Sequence, residues 1–443
     1  LFVIRPSEES KTMRRILVLS TLALVLTCSF SLAAETLRPG EKVAIIGDSI
    51  TEQKQYSVFM EDYLLMCQPT SQLTTMQFGW SGETARGFNA RIQNDFLRYK
   101  FSAATTCFGM NDGGYSPQTD SKAKSYHDSQ LAIVKAMKQA GIRLIVVGSP
   151  GAVDTYTFKH NKDDTTDALS SSAEMYNKTL ASERDLAKKV AEEEGVVFAN
   201  VFDPMVMVME KAKAKYGNKY HVCGGDGVHP GANGQFVMAY AFLKGLGCDG
   251  TIGTITVDLS SSKAEATTGH KVLSAKDGAV EIESTRYPFC FLAAKGAKLE
   301  DPGNVRGILE FLPFNQELNR YMLVVKGPAS GKVKVTWGET SKEFDAADLA
   351  KGINLAAEFL DNPFVEPFKN VHAAVKAQQD FETPMIKSTI HKLGFPPKGA
   401  TAPTEAEAKK IADDAAAKQA ELSAAAVKAV EPVKHTIKIE VLK

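Results

Sequence analysis

Between residues 42 and 248, short apolar runs alternate with longer amphipathic stretches, and no other feature limits the fold as much. The runs are Val43–Ile46, Thr74–Phe78, Ala103–Phe108, Leu144–Val147 and Val196–Val201. Helix-like stretches lie near 55–67, 88–99, 121–140 and 171–193, and a last one near 232–245 follows the fifth run. Strands of four to six apolar residues separated by helices predict a parallel sheet covered on both faces. In such sheets ligands collect at the carboxyl ends of the strands, so chemistry is expected along that edge.

The pattern changes after about 249. Residues 252–258, 271–284, 320–326 and 332–337 alternate or favour β-branched residues, and Asp277-Gly278 is a tight-turn pair. This predicts a small antiparallel β unit, a sandwich. Residues 365–392 look helical and 394–403 read as a linker rich in Pro and Gly. Residues 404–429, rich in Ala, Glu and Lys, should form a largely exposed helix, and His435–Leu442 alternates like a returning strand. The expected segments are 1–34, 35–248, 249–364 and 365–443. None of the chemistry-bearing motifs falls beyond 249, so 35–248 is expected to be catalytically independent.

Residues 13–34 have two arginines, an apolar run from Ile16 to about Cys28, and small residues ending in Ala33-Ala34. That is the layout of a secretory signal peptide with Met13 as its start, too short for a comfortable membrane span. An uncleaved anchor, or lipidation at Cys28, fits less well. The mature protein is expected to be periplasmic or extracellular, without stable membrane insertion. Five cysteines follow the leader: Cys67, Cys107, Cys223, Cys248 and Cys290. The odd count requires at least one free or intermolecular thiol, and Cys223 could pair with Cys248. Lys+Arg and Asp+Glu are both 52. The whole-chain charge therefore gives no footprint for nucleic acid or an anionic membrane.

The first apolar run leads straight into Gly47-Asp48-Ser49-Ile50-Thr51. A serine at a strand–helix junction has its N–H aimed with the helix N-terminus, a good place for a nucleophile. Alone, it reads more readily as a plain helix cap. Three further motifs follow in order. The second run ends before Gly79-Trp80-Ser81-Gly82-Glu83-Thr84, and the third leads into Gly109-Met110-Asn111-Asp112. Asp226-Gly227-Val228-His229-Pro230 comes after the fifth. This ordered Ser, Gly, Asn and His set resembles the SGNH (GDSL-type) hydrolase family over about 42–245, roughly half the chain. The resemblance implies a flavodoxin-like three-layer α/β sandwich, to which the β-rich and helical segments after 249 add a C-terminal appendage. It implies Ser49 as nucleophile, His229 as general base and Asp226 as the residue orienting it. The oxyanion hole would be the N–H groups of Ser49 and Gly82 with the Asn111 amide. The chemistry is coherent: a serine hydroxyl needs a base, imidazole suits that task near neutral pH, and a carboxylate fixes its tautomer. Asp48 is expected to brace the nucleophile turn.

His221, Cys223, Asp226 and His229 share one loop but match no trusted zinc spacing. No metal or cofactor is therefore expected. Asp203-Pro204 reads as a helix start. The loops at 111–120 and 149–168 are polar, with scattered Tyr115, Tyr156 and Phe158. A cleft for long acyl chains would be more apolar. The expectation is an exported esterase acting on a short-chain, O-acetyl-type ester of a glycan or small molecule. A lysophospholipid or other short-chain lipid ester is the alternative. A non-catalytic carbohydrate-binding protein on the same fold is the alternative of another class.

Overall fold

The computed structural model describes residues 36–68, 72–160, 169–327 and 330–442. The expected leader at 13–34 lies outside the described residues. Five strands, β1 (Lys42–Gly47), β2 (Thr74–Gly79), β3 (Ala103–Cys107), β4 (Leu144–Gly148) and β5 (Val197–Ala199), form a parallel sheet ordered β2-β1-β3-β4-β5. Alternate residues enter separate cores. Val43 and Ile45 face one, Ala44 and Ile46 the other, and all four have no exposed surface. Burial on both faces is why the strands read as unbroken apolar runs rather than alternating ones. The strand order reverses between β1 and β3, where such a sheet opens a crevice at its carboxyl edge.

The helices are α1 (Ser49–Glu52), α2 (Tyr56–Met66), α3 (Ala85–Asp95), α4 (Asp120–Gln139), α5 (Ser171–Glu194), α6 (Phe202–Tyr216) and α7 (Ala232–Gly245). Hydroxyl caps start three of them: Thr84, Thr119 and Ser170 each accept an N–H from the first turn. Most residues of α2 and α7 are buried. A helix without a polar face must be covered on all sides, and here the parallel sheet and the C-terminal half supply the cover. Phe236 of α7 packs within 5.5 Å of Phe289 and 4.6 Å of Phe314.

Among the described residues nine strands follow: β6 (Thr251–Asp258), β7 (Lys263–Ala266), β8 (His270–Lys276), β9 (Ala279–Ser284), β10 (Arg320–Lys326), β11 (Lys332–Trp337), β12 (Thr340–Asp345), β13 (Ile353–Asn354) and β14 (Val433–Val441). They make one sheet ordered β13-β10-β6-β7 and another ordered β12-β11-β14-β9-β8. The first is mixed, because β6 and β10 run parallel. The β8–β9 hairpin turns at Asp277-Gly278, both with positive φ, as that dipeptide predicts. The last strand, β14, enters the middle of its sheet between β11 and β9. Sequence reading missed β7, β12 and β13, whose short runs carry few apolar residues.

Short helices α8 (Phe314–Glu317), α9 (Ala346–Lys351) and α10 (Leu355–Glu358) precede α11 (Val365–Pro384). A π-helical turn (Met385–Ile390), α12 (His391–Gly394) and α13 (Glu405–Lys428) complete the chain before β14. Helix α11 lies along β2, the sheet's edge strand. Gln77 N–H donates to Glu382 Oε2 at 2.9 Å, and Gln378 Nε2 donates to the Thr75 carbonyl at 3.1 Å. Thr75 N–H turns to Glu61 Oε1 of α2 at 3.3 Å. An edge that would otherwise template strand addition is thereby capped by side chains. Burial raises the carboxyls of both Glu61 and Glu382. From Thr36 onward the chain is one compact unit. The segments on either side of 248 and 364 differ in secondary structure but share that unit.

Candidate active site

Strand β1 ends at Gly47, and the chain turns at once into α1. Asp48 caps this helix, its Oδ1 accepting the Ile50 N–H at 2.9 Å. Burial pushes the Asp48 carboxyl up to about 7 against the pull of that N–H. Ser49, the first residue of α1, has its Oγ 2.8 Å from His229 Nε2. The opposite ring nitrogen, Nδ1, lies 2.7 Å from Asp226 Oδ2. The other oxygen of Asp226 accepts the N–H groups of Val228 and His229, both at 2.9 Å. Partial burial alone would raise the Asp226 carboxyl. The two N–H groups and the His229 ring outweigh it and hold the carboxyl below its usual range. A carboxylate on Nδ1 keeps the proton there and leaves Nε2 free to accept from the serine.

The loop bearing Asp226 and His229 is pinned by the segment after β4. Asp154 N–H donates to the Gly227 carbonyl at 2.8 Å, and Thr157 Oγ1 to the Gly224 carbonyl at 2.9 Å. Gly227 has φ +81, and a Cβ there would stand 2.3 Å from the backbone of Phe158. The loop can approach this closely only with glycine at that position.

On the other side of Ser49 stands the turn Trp80–Glu83. Trp80 N–H donates to the Gly47 carbonyl at 3.2 Å, and Ser81 donates through both its N–H and its Oγ to Glu52 Oε2. Gly82, at φ +75, has open space where a side chain would be. The N–H groups of Ser49 and Gly82 donate to no acceptor among the described residues. Asn111 joins this turn, its Nδ2 donating to the Glu83 carbonyl at 2.9 Å. A weaker contact from the same nitrogen reaches Asp48 Oδ2 at 3.5 Å. Tyr115, in a left-handed conformation at φ 51, donates its hydroxyl to Asn111 Oδ1 at 3.2 Å. Asp112 ties the neighbouring loops by accepting the N–H groups of Ala85 and Gly109, both at 3.0 Å. Burial raises its carboxyl to about 6.

The fold thus gathers Ser49, Asp226, His229, Gly82, Asn111 and Asp48 at one edge of the sheet. It does not gather the rival metal cluster. Cys223 is fully buried with its thiol pushed well up by burial, and among the described residues no group of three or more His, Cys, Asp or Glu is placed to hold a metal ion. Cys223 and Cys248 do not pair, and the five described cysteines are buried free thiols. Phe158 is a core residue stacked at 5.8 Å on Tyr176, so it is not a cleft aromatic. Asp203 lies in the first turn of α6 and pairs with Arg184. Sequence reading named Asp112 only as part of the Asn111 motif and Tyr115 only as a loop aromatic, without their contacts to Ala85, Gly109 and Asn111. It passed over Glu52, whose partners are distant in the chain. The arrangement supplies a hydroxyl paired with a base, and backbone N–H groups at Ser49 and Gly82 with no acceptor among the described residues, a set that suits acyl transfer.

Residues 45–236 match the model of the GDSL-like lipase/acylhydrolase family. Among solved structures, the chain resembles BT4096, a gut microbial diltiazem-metabolizing enzyme, with a TM-score of 0.71 and 21% identity. That alignment covers 92% of this chain and 100% of the other, so the whole architecture, appendage included, occurs in a solved fold. The acetylxylan esterase Axe2 from Geobacillus stearothermophilus matches at 22% identity over 48% of this chain and 97% of its own, with a TM-score of 0.37. A GDSL-like lipase from Parabacteroides merdae matches at 20% identity over 48% of this chain and 98% of its own, with a TM-score of 0.39. Comparison with curated proteins gave no significant match. The match over residues 45–236, on a five-stranded parallel sheet flanked by helices, makes this part of the chain GDSL-like and consistent with an SGNH-type serine hydrolase of ester bonds.

Proposed function

We propose that this protein is an exported esterase that removes a short acyl group, O-acetyl above all, from a carbohydrate. Ser49 is the nucleophile, His229 the base and Asp226 the carboxylate that orients it. The observation that carries this reading is the unbroken path from Ser49 Oγ to His229 Nε2 at 2.8 Å and from Nδ1 to Asp226 at 2.7 Å. Ser49 Oγ attacks the ester carbonyl while Nε2 takes its proton. The oxyanion receives the N–H groups of Ser49 and Gly82 and the Asn111 amide. Collapse expels the alcohol, which takes the proton from Nε2, and water repeats the sequence on the acyl-enzyme. Each hole donor is worth about 2.7–4 kcal/mol in comparable sites.

A small acyl group on a sugar is supported by the polar loops around the serine and by partly exposed rings at Tyr156 and His160. Export rests on the 13–34 pattern alone. The test is a panel of p-nitrophenyl esters from acetyl to dodecanoyl, run beside acetylated oligosaccharides and a lysophospholipid. The rate should be highest on acetyl, fall with chain length, and be accompanied by acetate release from the oligosaccharide. A rate that climbs with chain length, with fatty acid but no acetate released, would overturn the carbohydrate reading.

A further inference from the structure

Glu52 closes α1, three residues after Ser49, and holds the oxyanion turn: its Oε2 accepts both the N–H and the Oγ–H of Ser81, the residue before Gly82. A carboxylate with both donors on one oxygen has its second oxygen free to swing. That second oxygen, Oε1, is held at 2.7 Å by Lys387 Nζ, 335 residues away in the sequence. Glu52 and Lys387 side chains are 20% and 25% exposed, so the pair is largely shielded from water. Burial by itself would raise the Glu52 carboxyl, but Lys387 and Ser81 hold it low and ionised.

Lys387 has an unusual seat. Pro384 lacks the N–H that would continue the hydrogen bonds of α11, and the helix widens to a π turn at Met385–Ile390 directly after it. Lys387 projects from this turn. Its ammonium also lies 5.0 Å from the centre of the Trp80 ring, whose surroundings include the Arg91 guanidinium at 4.5 Å and the His391 ring at 4.8 Å. The turn Trp80–Gly82 is therefore held at Trp80 by Lys387 and His391 directly, and at Ser81 through Glu52, which Lys387 fixes in turn.

We infer that Lys387 is a positioning residue for the esterase, fixing the Gly82 N–H through Glu52 and Ser81. The inference rests on the reading of Gly82 as an oxyanion donor. A hole donor acts only when it is already aimed at the charge, so loosening the turn removes transition-state binding and leaves ground-state binding largely intact.

The test compares kcat and KM on p-nitrophenyl acetate for Lys387→Met, Lys387→Arg, Glu52→Gln and the Glu52→Gln/Lys387→Met double variant, each checked for fold by circular dichroism. Lys387→Met should lower kcat about 10–100-fold with KM within about twofold, a fraction of the loss of a whole donor. Lys387→Arg should recover most of the rate. The double variant should be no worse than Glu52→Gln, because both act through one contact. If Lys387→Met does not fold, Glu52→Gln and Lys387→Arg carry the same comparison. Full kcat in folded Lys387→Met, or losses that multiply in the double variant, would overturn the positioning role. A Ser49→Ala control separates the two claims: if it stays active, the parent reading fails, whereas an inactive Ser49→Ala beside a fully active Lys387→Met sinks this inference alone.

Discussion

Asn111 holds the site together from its own side chain: one amide nitrogen bonds the turn bearing Gly82, and the amide oxygen receives Tyr115. As the oxyanion donor proposed above, Asn111 would offer its second amide hydrogen, now on the 3.5 Å contact to Asp48 Oδ2, and would meet charge mainly in the transition state. We expect Asn111→Ala to lower kcat about 10²–10³-fold while KM changes little, as steady-state kinetics on a small soluble ester would record. An effect confined to KM would make Asn111 a ground-state contact. The residues legible in the sequence were those whose role is local. Ser49 sits at a strand–helix junction, Asp226 and His229 are three apart, and Gly82 and Asn111 follow strand ends. Glu52 and Lys387 were illegible because each looks like an ordinary charged helix residue until the fold brings them within 2.7 Å.

Elements were easier to name than to place. The alternation at 435–442 announced a strand, but not that β14 would enter the centre of a sheet, because register partners lie far away in sequence. What fixes it there includes a buried polar relay. Trp337 Nε1 donates to His435 Nδ1 at 3.1 Å, so His435 carries its proton on Nε2, 3.0 Å from Ser284 Oγ. Ser284 is 2.8 Å from His270 Nδ1, and His270 Nε2 is 3.0 Å from the Ile252 carbonyl. Both imidazoles must stay neutral for every member to find its partner. Burial lowers His270, and it lowers His435 to about 3, with His270 adding to the effect. The unfolded chain binds these protons near pH 6.5 and the native one resists them. Stability is therefore full above about 6.5 and falls as pH drops, by about 1.4 kcal/mol per pH unit for His435 down to about 3, with His270 adding a loss in the same direction. Urea unfolding at pH 7, 5.5 and 4.5 should show this loss, and His435→Gln should flatten it. Equal acid sensitivity in the two proteins would mean the relay does not control it.

At the scale of the whole molecule, the motifs end before 249 but the packing does not. Cutting at 248 would strip Gln378 and Glu382 from the edge of β2 and uncover the apolar sides of α2 and α7. Sequence reading favoured a catalytically independent 35–248, because all the reactive residues fall inside it, and expected the apolar residues of 365–392 to pack against it. It could not see that the helix at 365–384 supplies polar caps to a strand three hundred residues earlier. We expect the 35–248 fragment to aggregate or to unfold at much lower urea than the full chain, as size-exclusion chromatography and denaturant titration would register. A monomeric fragment as stable as the full chain would show that the C-terminal half is dispensable. The central claim, that ester hydrolysis by this chain runs through Ser49, is tested most directly by labelling the full-length protein with a fluorophosphonate. Intact mass and peptide mapping would then locate the label. The expected result is one adduct per chain, on Ser49, with activity lost in proportion and no adduct in His229→Ala. An adduct on another serine, or an unlabelled enzyme that still hydrolyses esters, would contradict it.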